Sequence, residues 1–256
     1  MSYTVTATKT KQTKNYKKTG NRQFFYSLQF WCGFYIIHRG MKLESDGVLI
    51  ELRPLNERDS VARVFTCEYG IMVGVMRGGL IAKKNKPLVG QVGAVIWNAR
   101  LDSQLGVFHW DASRNMAAVL MADARRLAMM NAAFSLINVL LPEREKYDDL
   151  YNATIRLLGA LGAGDDADMA YLQWEVEFLR DVGYALDLSS CAGCGRHDNL
   201  VFMSPRTCRA VCETCGMPYS DRLYRLPIGM DVSLKLIEKV CEAQGVNVPT
   251  ARRMLR

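Results

Sequence analysis

From Gly47 to Trp110 the apolar positions fall in short runs broken by turn residues, a pattern that predicts strands. Residues 48–52 run into Pro54 and a polar turn, residues 61–67 are rich in β-branched side chains, and a Tyr69-Gly70 break leads into residues 71–76. Residues 89–101 alternate, with Val92, Ala94 and Ile96 on one face and Val95, Trp97 and Ala99 on the other. Asp102-Ser103 then turns the chain into a last strand over residues 105–110. Five strands at this spacing predict a small barrel. An OB-fold is the commonest barrel of that size, and an SH3-like barrel gives a similar pattern.

Beyond Asn115 the period becomes helical. Residues 116–141 predict one helix stopping at Pro142, residues 150–161 a second ended by Gly162-Ala163-Gly164, and residues 168–182 a third with Gly183 at its C-terminal end. The third helix is apolar on two sides, Met169/Leu172/Val176/Leu179 and Tyr171/Trp174/Phe178, which predicts a place at the centre of the helical core. Two short helices, 232–243 and 250–256, close the chain. The fold class is therefore α+β, with domains at 41–114 and 115–256.

Charge changes this picture at one end only. Of the 33 basic residues in the 256-residue chain, seven (Lys9, Lys11, Lys14, Lys17, Lys18, Arg22, Arg39) lie in residues 1–40, which hold no acid. That leaves 26 basic residues against 26 acidic ones over residues 41–256, so the formal charge of +7 belongs to the leading segment. The segment's apolar run, residues 24–37, is too short to span a bilayer, and no small-x-small cleavage pattern follows it. We read residues 1–40 as an over-extended start ahead of Met41, with a basic disordered arm as the alternative.

The most specific chemistry is Cys191-x-x-Cys194 and Cys212-x-x-Cys215, with seventeen residues between the pairs. Each C-x2-C turn aims two sulfurs at one point, and two such turns predict a closed four-thiolate site for one structural Zn2+ in a module spanning about residues 189–217. Cys208 stands close enough to replace a ligand or to pack as a small apolar side chain. His197 follows Cys194 too closely to ligate without strain and reads as surface. Thiols with metal spacing suit a reducing compartment, the cytoplasm.

The loop between the third and fourth strands gathers Arg77, Lys83, Lys84 and Lys86 around Gly78-Gly79 without an acid. It reads either as a phosphate grip or as a solvated hairpin tip, and the barrel favours the first. Around the cysteines, Arg196 and Arg206 read as phosphate contacts and Arg209 as a neutraliser of the thiolates. The acids Glu143, Glu145, Asp148 and Asp149 suit a helix N-terminus. Trp97, Trp110 and Trp174 read as core. The sequence holds no G-x-S-x-G, no Walker loop, no H-E-x-x-H, and three histidines (His38, His109, His197) outside any catalytic spacing. Neither a hydrolase with an open metal site nor another enzyme is expected. A zinc-ribbon RNA-binding or transcription-associated protein is the other reading, against which the large helical half counts.

In their order along the chain, several short motifs resemble the RecO family of bacterial recombination mediators. They are Glu44-Ser45-Asp46-Gly47-Val48-Leu49, Arg53-Pro54-Leu55-Asn56-Glu57-Arg58-Asp59, Thr66-x3-Gly70, Arg77-Gly78-Gly79, Leu141-Pro142-Glu143-Arg144-Glu145, Trp174-Glu175, Gly183-Tyr184-Ala185-Leu186-Asp187-Leu188-x2-Cys191 and Phe202-x-Ser204-Pro205. The resemblance runs from Met41 to about Pro227 and departs from the family at Cys208, where glycine is usual. It implies an OB-fold, a helical body with an inserted zinc module, and binding of single- and double-stranded DNA, with the loop carrying Arg77 and Lys86 as a DNA contact. It also implies strand annealing, cooperation with RecR, the tail of single-strand binding protein and RecA, and a cytoplasmic, nucleoid-associated location.

Overall fold

The computed structural model describes residues 41–82, 86–101, 105–184 and 186–255. The expectation for residues 1–40 lies outside them, as do Lys83 and Lys84 of the basic loop.

All five expected strands form: β1 (Met41–Pro54), β2 (Ser60–Thr66), β3 (Gly70–Met76), β4 (Gln91–Ala99) and β5 (Gly106–Asn115). Their period-two pattern is realised as burial, since Gly93, Val95 and Trp97 of β4 face inward while Ala94 is exposed and Ile96 half-buried. The strands close into a barrel in the order β1-β2-β3-β5-β4, with the β3–β5 pair parallel. Trp97 fills the interior and donates from Nε1 to the carbonyl of Val73 at 3.0 Å. Gly106 makes room for that indole, because a Cβ there would lie 2.2 Å from the ring.

The expected helix over 116–141 is two helices, α1 (Met116–Leu120) and α2 (Ala124–Leu140). Asp123 causes the break: its carboxylate accepts from the amides of Arg125 and Arg126 and caps α2, a competition with continued helix that periodicity does not reveal. Helices α3 (Asp148–Ala163) and α4 (Ala167–Asp181) follow, ending near Gly164 and Gly183, both with positive φ. On α4, Tyr171, Trp174, Phe178 and Leu179 are buried, but Met169 is 45% exposed, so its second apolar side is only partly covered. Helix α2 is enclosed on more sides, from Met129 through Leu140.

Next comes a small sheet in the order β7-β6-β8, built from β6 (Leu200–Met203), β7 (Ala210–Cys212) and β8 (Tyr224–Arg225). Between β7 and β8 lie α5 (Glu213–Gly216) and a 3-10 turn (Met217–Arg222). Helices α6 (Met230–Ala243) and α7 (Thr250–Arg253) end the chain. One apolar core runs from Val48, Phe65 and Ile71 of the barrel through α2, α3 and α4 to Met203, Cys208 and Ile228. The barrel and helices belong to one compact unit.

The segment after α2 ties barrel to helices. The amide of Arg144 donates to the carbonyl of Ile71 at 3.0 Å, Glu143 pairs with Arg63 of β2 at 2.9 Å, and the Arg144 guanidinium stands 4.8 Å from the Trp97 ring centroid. Glu143 is thus a cross-link to the barrel, whereas Asp148 and Asp149 occupy the first turn of α3 as expected. Gly70 permits this approach: its φ is +62°, and a Cβ would fall 1.7 Å from the carbonyl oxygen of Glu145. Gly70→Ala is expected to cost about 2 kcal/mol or more from the left-handed backbone and the displaced segment. Thermal melting should show a fall on the order of 5 °C, and an unchanged midpoint would refute the close approach.

Candidate metal centre and nucleic-acid interface

The four sulfurs of Cys191, Cys194, Cys212 and Cys215 lie within 4.8 Å of one another. The first pair sits on the turn after Leu188, the second where β7 runs into α5, so a short hairpin brings together residues far apart in sequence. Four thiolates at about 2.3 Å from one ion, in tetrahedral array, stand about 3.8 Å apart, and Cys194 Sγ and Cys212 Sγ are separated by 3.7 Å. The cradle is close-fitting, since a Cβ on Gly193 would sit 3.2 Å from Cys215 Sγ.

Electrostatics favour a cation. The amides of Cys212 and Gly193 both donate to Cys191 Sγ at 3.3 Å. The Cys212 amide, ahead of the other amides, brings the Cys191 thiol down to about 6, whereas the proton that Cys215 shares with Cys212 and Cys194 pushes Cys215 up to about 12. Thiolates, not thiols, ligate a metal, so ligation at this cluster would release protons. A filled set of four ligands leaves no open position, and the chemistry supplied is a cross-link.

Cys208 is outside this cluster. It is buried against the helical core with burial holding its thiol above the ordinary range, and its φ of +54° is the left-handed conformation glycine adopts most easily. His197 is exposed, as expected, with Nδ1 2.9 Å from the Ser189 carbonyl. Arg209, read as a neutraliser of the thiolates, pairs with Asp187 at 3.3 Å. Arg196 and Arg206 are exposed, Arg196 lying 3.6 Å from Asp198.

In the basic loop, Arg77 and Lys86 are exposed and both feet are clamped. At the first foot, the Gly78 amide donates to Asp59 Oδ1 at 2.7 Å. At the second, buried Gln91 donates from Nε2 to the Lys86 carbonyl and accepts at Oε1 from the Leu88 amide and from Trp110 Nε1. This explains Trp110, only half-buried where a core position was expected, while Trp97 and Trp174 are buried.

Compared with known proteins, the chain is 40% identical over 190 residues to a DNA repair protein RecO of Roseobacter denitrificans, covering 73% of this chain and 78% of that one. This chain belongs to the RecO family. RecO proteins of Dinoroseobacter shibae (39% over 185 residues, 71% of this chain and 76% of the relative) and a Jannaschia species (38% over 189 residues, 73% and 76%) agree. The family described as "Recombination protein O C terminal" matches residues 121–240. Among the described residues of this RecO-family chain, no helix is long and apolar enough to cross a membrane.

Sequence reasoning missed Asp59, Gln91 and the Glu175–Arg252 pair. Asp59 stands beside the Arg77–Lys86 loop only once β2 and β3 pair, whereas Gln91 is five residues from Lys86 but starts a strand, where a polar side chain reads as surface. The pair joins residues 77 apart in sequence.

Proposed function

We propose that the protein is a non-enzymatic DNA-binding mediator of recombinational repair. It would bind single- and double-stranded DNA without sequence preference, anneal complementary strands, and with RecR promote loading of RecA on DNA coated by single-strand binding protein, whose tail it would also engage. The observation that carries this reading is the clamped basic loop on a five-stranded barrel of order β1-β2-β3-β5-β4, which we read as an OB-fold. Family membership and the RecO names of its relatives support it. The barrel over 41–114 would be the primary DNA domain. The helical domain over 115–256 would carry one Zn2+ on the four cysteines, with Arg196 and Arg206 as secondary contacts. The location would be the cytoplasm, at the nucleoid.

The test is fluorescence anisotropy with single-stranded oligonucleotides of two unrelated sequences and the matching RNA, each titrated at several salt concentrations. Replacing Arg77 and Lys86 together by Ala is expected to weaken DNA binding and lower the slope of log K against log salt by about 1.4, at roughly 0.7 per phosphate contact. Lys83 and Lys84 are expected to add to this. An unchanged slope would remove the loop from the interface, and tighter binding of RNA would favour an RNA-binding ribbon protein.

A further inference from the structure

The turn between β1 and β2, residues 55–59, is built around two side chains. Asn56 Oδ1 accepts from the amides of Arg58 and Asp59 at 2.8 and 2.7 Å, and the amides of Leu55 and Asn56 donate to the Asp59 carbonyl. This turn is then fastened to the neighbouring loop twice. Asp59 Oδ1 takes the Gly78 amide, and the carbonyl of Arg58 takes the Leu80 amide at 3.1 Å. The outcome is two exposed arginines, Arg58 and Arg77, whose charges both help the Gly78 amide hold the Asp59 carboxyl below its ordinary range. Among the described residues neither arginine has a carboxylate within ion-pair distance. Asp59 uses its oxygens on an amide of the loop and on Asn56 Nδ2 at 3.2 Å.

An acid in a cationic patch lowers affinity for a polyanion, so its presence there calls for a compensating role. The hydrogen bonds supply one. We propose that Arg58 is a further phosphate-binding residue, and that Asp59 is the positioning residue that sets it beside Arg77 by holding the turn and the loop together. The ligand is the sugar-phosphate backbone of a single strand. The inference rests on the reading of the barrel as a DNA-binding surface. Asp59 accepts from a main-chain amide, and any side-chain carbonyl of the same length can take that bond. The bond and the negative charge can therefore be separated by substitution.

The test is anisotropy of a fluorescent oligothymidylate titrated with wild type, Arg58→Ala, Asp59→Asn and Asp59→Ala, across a salt series. Arg58→Ala is expected to lower the salt slope by about 0.7, the loss of one phosphate contact. Asp59→Asn keeps an acceptor for Gly78 and removes a charge, so it should bind as tightly as wild type or several-fold tighter. Asp59→Ala removes the same charge but also the tie, so it should bind several-fold more weakly than Asp59→Asn. Equal binding by the two Asp59 variants would overturn the positioning role, and an unchanged slope in Arg58→Ala would overturn the contact, in both cases with wild-type binding intact. Wild type that ignores the oligonucleotide even at low salt would refute the functional reading itself, and this inference with it.

Discussion

Arg252→Met should destabilise the protein by about 3–5 kcal/mol, because it leaves the buried carboxylate of Glu175 without its countercharge. Both side chains are fully buried. Arg252 Nε donates to Glu175 Oε1 at 2.5 Å and Nη2 to Oε2 at 2.9 Å, while Nη2 and Nη1 also reach the carbonyls of Met230 and Leu255. Ser233 and Tyr171 donate to the same carboxylate. These contacts join α4, α6 and α7, so the cost of losing one partner is carried by three helices. The expected fall in melting temperature is on the order of 10 °C. Glu175→Leu combined with Arg252→Met should recover much of that loss, since apolar replacement of a whole buried pair is commonly neutral. A single variant melting within about 2 °C of wild type would show that water reaches the pair.

Replacing Cys191 or Cys215 by Ser is expected to abolish metal binding and to unfold the segment from about residue 189 to 216. Little within the segment replaces the ion, because Ala192 to Asn199 is exposed throughout. The damage should spread inward. The segment is joined to the helical body by the Asp187–Arg209 bridge, by Lys239 Nζ donating to the Pro205 carbonyl at 2.8 Å, and by Met203 and Cys208 in the common core. Cys208→Ser should keep its metal while losing some packing. Metal analysis with amide exchange checks both, and a Cys208→Ser protein that arrives empty would mean the ligand set is wrong.

Much of the fold was legible because its signals are local. Alternation over β4, the glycines after α3 and α4, and the two C-x2-C turns each involve residues a few positions apart, where propensity and spacing act directly. The break at Asp123 was missed because a capping carboxylate competes with helix continuation without disturbing the apolar period. Arg252 was invisible for a different reason. On a short C-terminal helix it looks like a surface cation, and only tertiary packing supplies its partner 77 residues earlier. Likewise, the basic loop is free of acids in sequence but not in space, since β2 begins next to Asp59.

The barrel is closed, and where the short parallel β3–β5 pairing ends, the Arg144 amide takes up the Ile71 carbonyl of β3, so among the described residues little of this strand edge is left open. An extended ligand would then find few backbone donors and acceptors to pair with, and would be held chiefly by side chains and loop amides. Association through such groups is graded by ionic strength and carries no register. A protein that held a strand in this way could let it slide and be exchanged for a complementary one, and the same closure offers other polypeptides little template for sheet growth.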